Sequence, residues 1–164
     1  MDSIDLVRTN LSNSGNRTLA RIEDMRPHAF LRATPGGPHT LWILGHLAFV
    51  EGLVVDHFAF GDDNPLASWD SAFDGDAVAD GPADFPSFDV TLERVRGMRT
   101  ATLVRIDPLT EADLDRTAER APKGWDATFG TLRQCLQYTS DHWLMHRGQL
   151  ADARRVAGVD RMWV

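Results

Sequence analysis

The sequence predicts an all-α fold, a four-helix bundle filling one domain over residues 1–164. Three observations predict it. Four long segments repeat apolar residues at steps of three, four or seven, breaker residues separate them, and no segment alternates apolar and polar residues as a half-buried strand would. Four helices with one apolar stripe each bury those stripes by packing together.

The first helix opens after Ser3, an N-cap type, and carries Ile4, Val7, Leu11, Thr18, Ile22 and Met25 on one face until Pro27 stops it. Thr34-Pro35-Gly36-Gly37 breaks the chain, and Pro38 suits the first turn of a second helix running to about Ala59 with Leu41, Leu44, Leu47 and Val54. The third helix begins near Ser87, presents Phe88, Leu92, Val95, Thr102 and Ile106, and ends at Asp107-Pro108. Thr110-Glu111-Ala112-Asp113 is a capping-box variant opening one short helix, and residues 116–126 form a loop. The fourth helix runs from about Thr128 to Ala157, with Gly158 as the residue just past its end.

Residues 61–86, between the second and third helices, form a long acidic crossover loop. They hold Asp62, Asp63, Asp70, Asp74, Asp76, Asp80 and Asp84, and no Lys or Arg occurs from Ala33 through Glu93. The Asp spacing lacks the pattern and terminal Glu of an EF-hand, which leaves a solvated connection. Trp69, Phe73, Phe85 and Phe88 are its candidate pins to the bundle or to a neighbouring subunit.

Composition excludes several function classes. At 43% apolar and 25% charged, the 164-residue chain is globular and too apolar for disorder. A net charge of −7 argues against a nucleic-acid partner, even though Arg94, Arg96, Arg99 and Arg105 fall together on the third helix and Arg147, Arg154 and Arg155 on the fourth. The most apolar stretch, residues 41–60, is interrupted by His46, Glu51, Asp56 and His57, so no membrane partner is expected. The lone Cys135 excludes an internal disulfide, and no secretory signal is visible; both fit a cytoplasmic location.

The informative residues are histidines. His142 and His146 lie four apart in the fourth helix, one turn of ~6 Å on one face, a spacing that lets two imidazoles share a metal at ~2.0–2.1 Å. Trp143 stands where the general-base glutamate of His-Glu-x-x-His would be, which removes the metalloprotease reading. His46 sits mid-helix among apolar residues, where its ring needs a partner, either a metal shared with the pair or a carbonyl. Gly45 beside it permits close approach of another group. His39 and His57 lie about 10 and 16 Å from it along the axis and read as solvent-facing or second-site residues, and His28 as surface. Tyr138 and Gln149 continue the stripe of the histidine pair, as substrate or cofactor contacts or as supports for the ligands. Glu51 and Tyr138 are the candidates for a catalytic base, Glu51 otherwise being a solvated charge. Cys135 reads as a small buried residue, and Trp42, Trp125 and Trp143 as walls of a cavity.

Trp42-Ile43-Leu44-Gly45-His46-Leu47-Ala48, followed far downstream by His142-x-x-x-His146-Arg147-Gly148-Gln149-Leu150, resembles the DinB-like (DinB/YfiT) superfamily of four-helix-bundle metalloproteins, over nearly the whole chain. The resemblance implies an up-up-down-down bundle, a divalent metal held by His46, His142 and His146, and a homodimer. It also implies one of the activities of relatives, thiol-dependent transferases or isomerases using bacillithiol or mycothiol, or metal-dependent hydrolases.

Three protein nitrogens with an open fourth position are a catalytic arrangement, suited to zinc, nickel, iron or copper, and they activate either a water or a low-molecular-weight thiol toward a small-molecule substrate. The alternative is a non-catalytic bundle, metal-stabilised or a stress-response binding protein. Leftover apolar helix faces, the acidic loop or the terminal Arg161-Met162-Trp163-Val164 are candidate dimer contacts.

Overall fold

A computed structural model of the chain describes residues 2–75 and 81–160. Asp76, Asp80 and the terminal residues Arg161 to Val164 lie outside the described residues. The described residues are all-α and contain no β-strand, only the isolated bridges Arg32–His39 and Thr117–Thr131. Four long helices form the body: α1 (Ser3–Ile22), α2 (Thr40–Glu51), α3 (Phe88–Ile106) and α4 (Leu132–Ala157). Helix α2 continues through a π-helical segment, Gly52–Ala59, so the expected span to Ala59 holds with a change of pitch after Glu51.

Helix α1 packs chiefly along α4, α2 along both α3 and α4, and α3 also touches α1. Helices α1 and α2 therefore sit diagonally, as do α3 and α4, while α2 and α3 are neighbours joined by the long connection. The core draws on all four stripes: Leu11, Ile22, Leu44, Leu47, Val95, Ile106, Leu132 and Leu150 are buried. Burying one such side chain stabilises by about 1.5–3 kcal/mol. One stretch, Thr40–Ala59, is long and apolar enough to cross a membrane, but 78% of it is buried within the protein, as befits the central helix of a bundle.

The ends follow local chemistry. Ser87 caps α3 by accepting from the Val90 amide, Thr131 caps α4 from the Gln134 amide, and Gly158 takes the left-handed conformation at φ 72° that closes α4. The Asp113 carboxylate accepts from both the backbone and the hydroxyl of Thr110, as the capping-box pattern predicts. Three boundaries differ from expectation. Ser3 is the first residue of α1 rather than its cap, and the Ile4 amide is satisfied instead by Glu111, at 2.9 Å. Helix α1 gives way at Glu23 to a 3-10 turn, Glu23–His28, that contains Pro27. Helix α4 begins at Leu132, because Asp126–Phe129 forms a separate turn.

The acidic connection is less irregular than its composition suggests. It holds the short turns Ala67–Trp69, Asp70–Phe73 and Pro82–Asp84. Phe73 is fully buried, packed at a tilt against Trp69 and Phe85 with centroids at 4.9 and 5.4 Å. The pins are real, and they face the bundle.

Candidate metal centre

His46 is held by α2, and His142 and His146 by adjacent turns of α4. The packing of α2 on α4 points all three rings at one spot. The Nε2 atom of His142 lies 3.2 Å from that of His46 and 3.1 Å from that of His146, and all three nitrogens fall within 4.8 Å of one another. Two nitrogens sharing an ion at ~2.0–2.1 Å stand ~2.9–3.4 Å apart at ligand angles of ~90–110°. Two of the three pairs already have that spacing.

The outward nitrogens fix which atom faces in. His46 Nδ1–H donates to the Phe73 carbonyl at 2.7 Å, and His146 Nδ1–H to Gln149 Oε1 at 2.8 Å. Each bond leaves Nε2 as the lone-pair donor toward the centre, the usual support for a metal-bound histidine. Trp42 stacks on His46 (4.2 Å, 15°) and Tyr138 on His142 (5.7 Å, 14°). Gly45 is what lets the Phe73 carbonyl come so close, because a Cβ there would overlap the Phe73 ring.

Electrostatics favour neutral rings. Burial, then the charges of His146 and His46, push the His142 imidazole down to about 3. Burial and His46 bring His146 down to about 4, against the bond from Gln149. Burial also lowers His46, opposed by the Phe73 carbonyl and by Asp74. Three imidazoles kept uncharged, their Nε2 atoms converging and the lone pairs of His46 and His146 facing one point, fit a divalent cation by donor type and direction.

These rings sit in the wall of a cavity of about 670 Å³. Tyr138 and Gln149 line it, as the stripe predicted. Burial raises the Tyr138 hydroxyl, so at neutral pH it is a donor and not a base. Glu51 is a correction. It is neither a solvated charge nor a cavity residue: its carboxylate is buried on the other side of α2, accepting from Arg99 at 2.8 Å and Trp143 Nε1 at 2.7 Å. Five helical positions carry a side chain about 140° around from His46, which puts Glu51 behind the site. Trp143 faces that pair too, so of the three expected walls only Trp42 and Trp125 are found.

His39 is the second correction. It is buried, and its Nδ1 accepts the Trp42 amide at 3.0 Å, making it the N-cap of α2. His57 lies apart from the cluster, bonded to the Asp62 carbonyl at 3.1 Å. Cys135 is buried, its thiol pushed up by burial to about 11, and is not among the clustered donors. Sequence reasoning missed Asp74 and the Phe73 carbonyl, which the chain brings to His46 from 27 or more positions away. The signal available was Gly45, which announces a close approach without naming the visitor.

The family model of the DinB superfamily matches residues 10–150. The chain belongs to the DinB superfamily. A crystal structure of a conserved protein from Enterococcus faecalis is similar to this DinB-superfamily chain with a TM-score of 0.67 at 19% identity, aligned over 96% of this chain and 99% of that one. At that identity the likeness concerns the fold. No curated protein matches the sequence.

Proposed function

We propose that this DinB-superfamily chain is a metal-dependent enzyme acting on a small molecule, with a divalent ion held by His46, His142 and His146. The observation that carries the proposal is the convergence of three Nε2 atoms on one point in a cavity wall. A bound ion supplies there a Lewis acid that acidifies a water or thiol placed at its open position. The chain's own residues do the rest. Phe73 and Gln149 orient His46 and His146, Trp42 and Tyr138 hold two of the rings flat, and the cavity admits the substrate beside them.

Thiol-dependent transfer is favoured over hydrolysis by the position of Glu51. With that carboxylate committed to Arg99 and Trp143, no buried carboxylate among the described residues faces the histidines to take a proton from water. A thiol needs less help, since its pKa of ~8.5 starts about seven units below that of water at ~15.7. The non-catalytic bundle is the second reading, supported by the way the same three rings join α2 to α4.

Elemental analysis of the untagged chain, beside a His142→Ala variant, tests the proposal. About one metal per wild-type chain and little in the variant is expected. Equal metal content in both refutes the ligand set. A thiol-conjugation assay run beside an ester-hydrolysis assay then separates the chemistries, and a chain that loads zinc yet catalyses neither supports the non-catalytic bundle. We further propose a cytoplasmic homodimer, supported by the exposed Leu144, Met145 and Val156 of α4. A concentration-independent monomer in light scattering overturns the dimer.

A further inference from the structure

The cavity beside the histidines has a definite chemical character. Its volume falls within the ~300–1,000 Å³ of small-molecule sites. Trp42, Leu53, Val54, Phe58, Trp125 and Phe129 form much of its wall. Phe129 joins Phe58 (5.2 Å), Tyr138 (4.7 Å) and Trp125 (6.2 Å) into a continuous aromatic surface. Ring faces and edges in that range pair favourably with another ring, by about 0.5–1.5 kcal/mol beyond area burial.

Charge is distributed just as unevenly. The chain has 17 Lys and Arg residues, yet none is among the described residues lining the cavity. Among the described residues its one charged lining residue is Asp74, exposed, at the end of the turn that delivers Phe73 to Gly45. A carboxylate or phosphate seated on the aromatic wall would lose water and find no Lys or Arg among the described lining residues to replace it, while Asp74 repels it.

We propose that the cavity takes an uncharged aromatic small molecule, and that Asp74 is a specificity-determining residue that turns anionic analogues away. The inference rests on the proposed function for the identity of the site, but binding of the ring does not depend on a metal. It deepens that function: the part of the molecule that fills the aromatic wall is a neutral ring.

The experiment is calorimetric titration of the full chain, as purified and after chelator treatment, with 2-naphthol and with 6-hydroxy-2-naphthoate, which adds one carboxylate to the same rings. Zinc content is measured on the same samples. We expect 2-naphthol to bind at least tenfold more tightly in the chelator-treated chain. Asp74 is exposed, so Asp74→Lys leaves the fold intact, and it brings the two probes within about threefold of each other. Equal or tighter binding of the carboxylate by the wild type, or no binding of either probe at millimolar concentration, overturns the substrate class. A ratio unmoved by Asp74→Lys overturns the role of Asp74. Zinc loading without naphthol binding refutes this inference and leaves the metal centre standing; naphthol binding without zinc loading does the reverse.

Discussion

Gly45→Ala tests the link between packing and the metal centre. In an ordinary helix interior this change stabilises by roughly 1 kcal/mol, because alanine loses less backbone entropy. Here the new methyl would fall more than ~1 Å inside the ~3.5 Å contact distance to three atoms of the Phe73 ring. That ring is fully buried between Trp69 and Phe85, so it has no free rotamer to retreat into. Relief must come from moving the turn Asp70–Phe73 as a unit, and with it the Phe73 carbonyl. A shift of ~1 Å takes the 2.7 Å bond to His46 past the ~3.5 Å limit of a hydrogen bond. Overpacking of this kind costs ~1–3 kcal/mol, which outweighs the helix gain, and loss of a ligand's outer partner costs ~10–100-fold in metal affinity. The net expectation is a metal-free chain less stable by up to about 2 kcal/mol, a fall of up to about 8 °C in melting temperature, with zinc bound at least tenfold more weakly in a competition titration. Adding Phe73→Leu makes room for the methyl and restores part of both losses. A Gly45→Ala chain that melts higher and binds zinc unchanged would refute the reasoning.

Three further outcomes follow from the same contacts. Gln149→Leu, at an exposed position, leaves stability within ~0.5 kcal/mol but weakens zinc binding ~10–100-fold, because His146 Nδ1 loses its acceptor; calorimetric titration with zinc checks it. The metal-free chain loses stability as pH falls below about 6.5, since His142 and His146 titrate near 3 and 4 when folded but at ordinary values when unfolded, so each proton taken up favours the unfolded state; melting temperatures from pH 7.5 to 4 read this, and a flat profile contradicts it. Arg99→Leu destabilises by ~3–5 kcal/mol because it strands the buried Glu51, whereas Arg99→Leu with Glu51→Leu recovers most of that loss, as urea midpoints show.

The helices were legible because their causes are local. Period, caps and breakers predict α3 from Ser87 to Ile106 almost to the residue, and Gly158 marks the end of α4. The histidine cluster was legible in part for a similar reason: His142 and His146 share a face by spacing alone, and His46 among apolar residues demands a partner, which proves to be the Phe73 carbonyl on one side and the histidine pair on the other. What the sequence could not show is what depends on the angle between helices. Glu51 and His46 are both on α2, and only the placement of α3 and α4 makes one a partner of Arg99 and the other a neighbour of His142. His39 likewise reads as a surface residue until Phe30 and Phe85 close over it (4.8 and 5.0 Å). The acidic loop was legible in its aromatic pins but not in its short turns: its described aspartates are exposed, and its buried phenylalanines decide its path.

The misplaced Glu51 explains more than it spoils. Its carboxylate and the Arg99 guanidinium form one buried polar knot with Ser14 of α1 and Trp143 of α4, so the knot touches all four helices. Gly15 leaves the space for the guanidinium, which also lies 4.8 Å over the Trp143 ring. An apolar core of leucines and valines specifies register less strictly, because side chains of similar volume can repack in more than one arrangement. A buried ion pair with directional bonds does not, since a slip of one turn (~5.4 Å) would leave both charges unpaired. Trp143 is the residue next to His142, and Glu51 follows His46 by little more than one turn. The knot therefore sets the register of α2 against α4 at the level where the three histidines must meet. Nitrogen spacings of 3.1 and 3.2 Å between rings on separate turns and separate helices require such a reference point, and the carboxylate expected to do chemistry supplies it from behind the site.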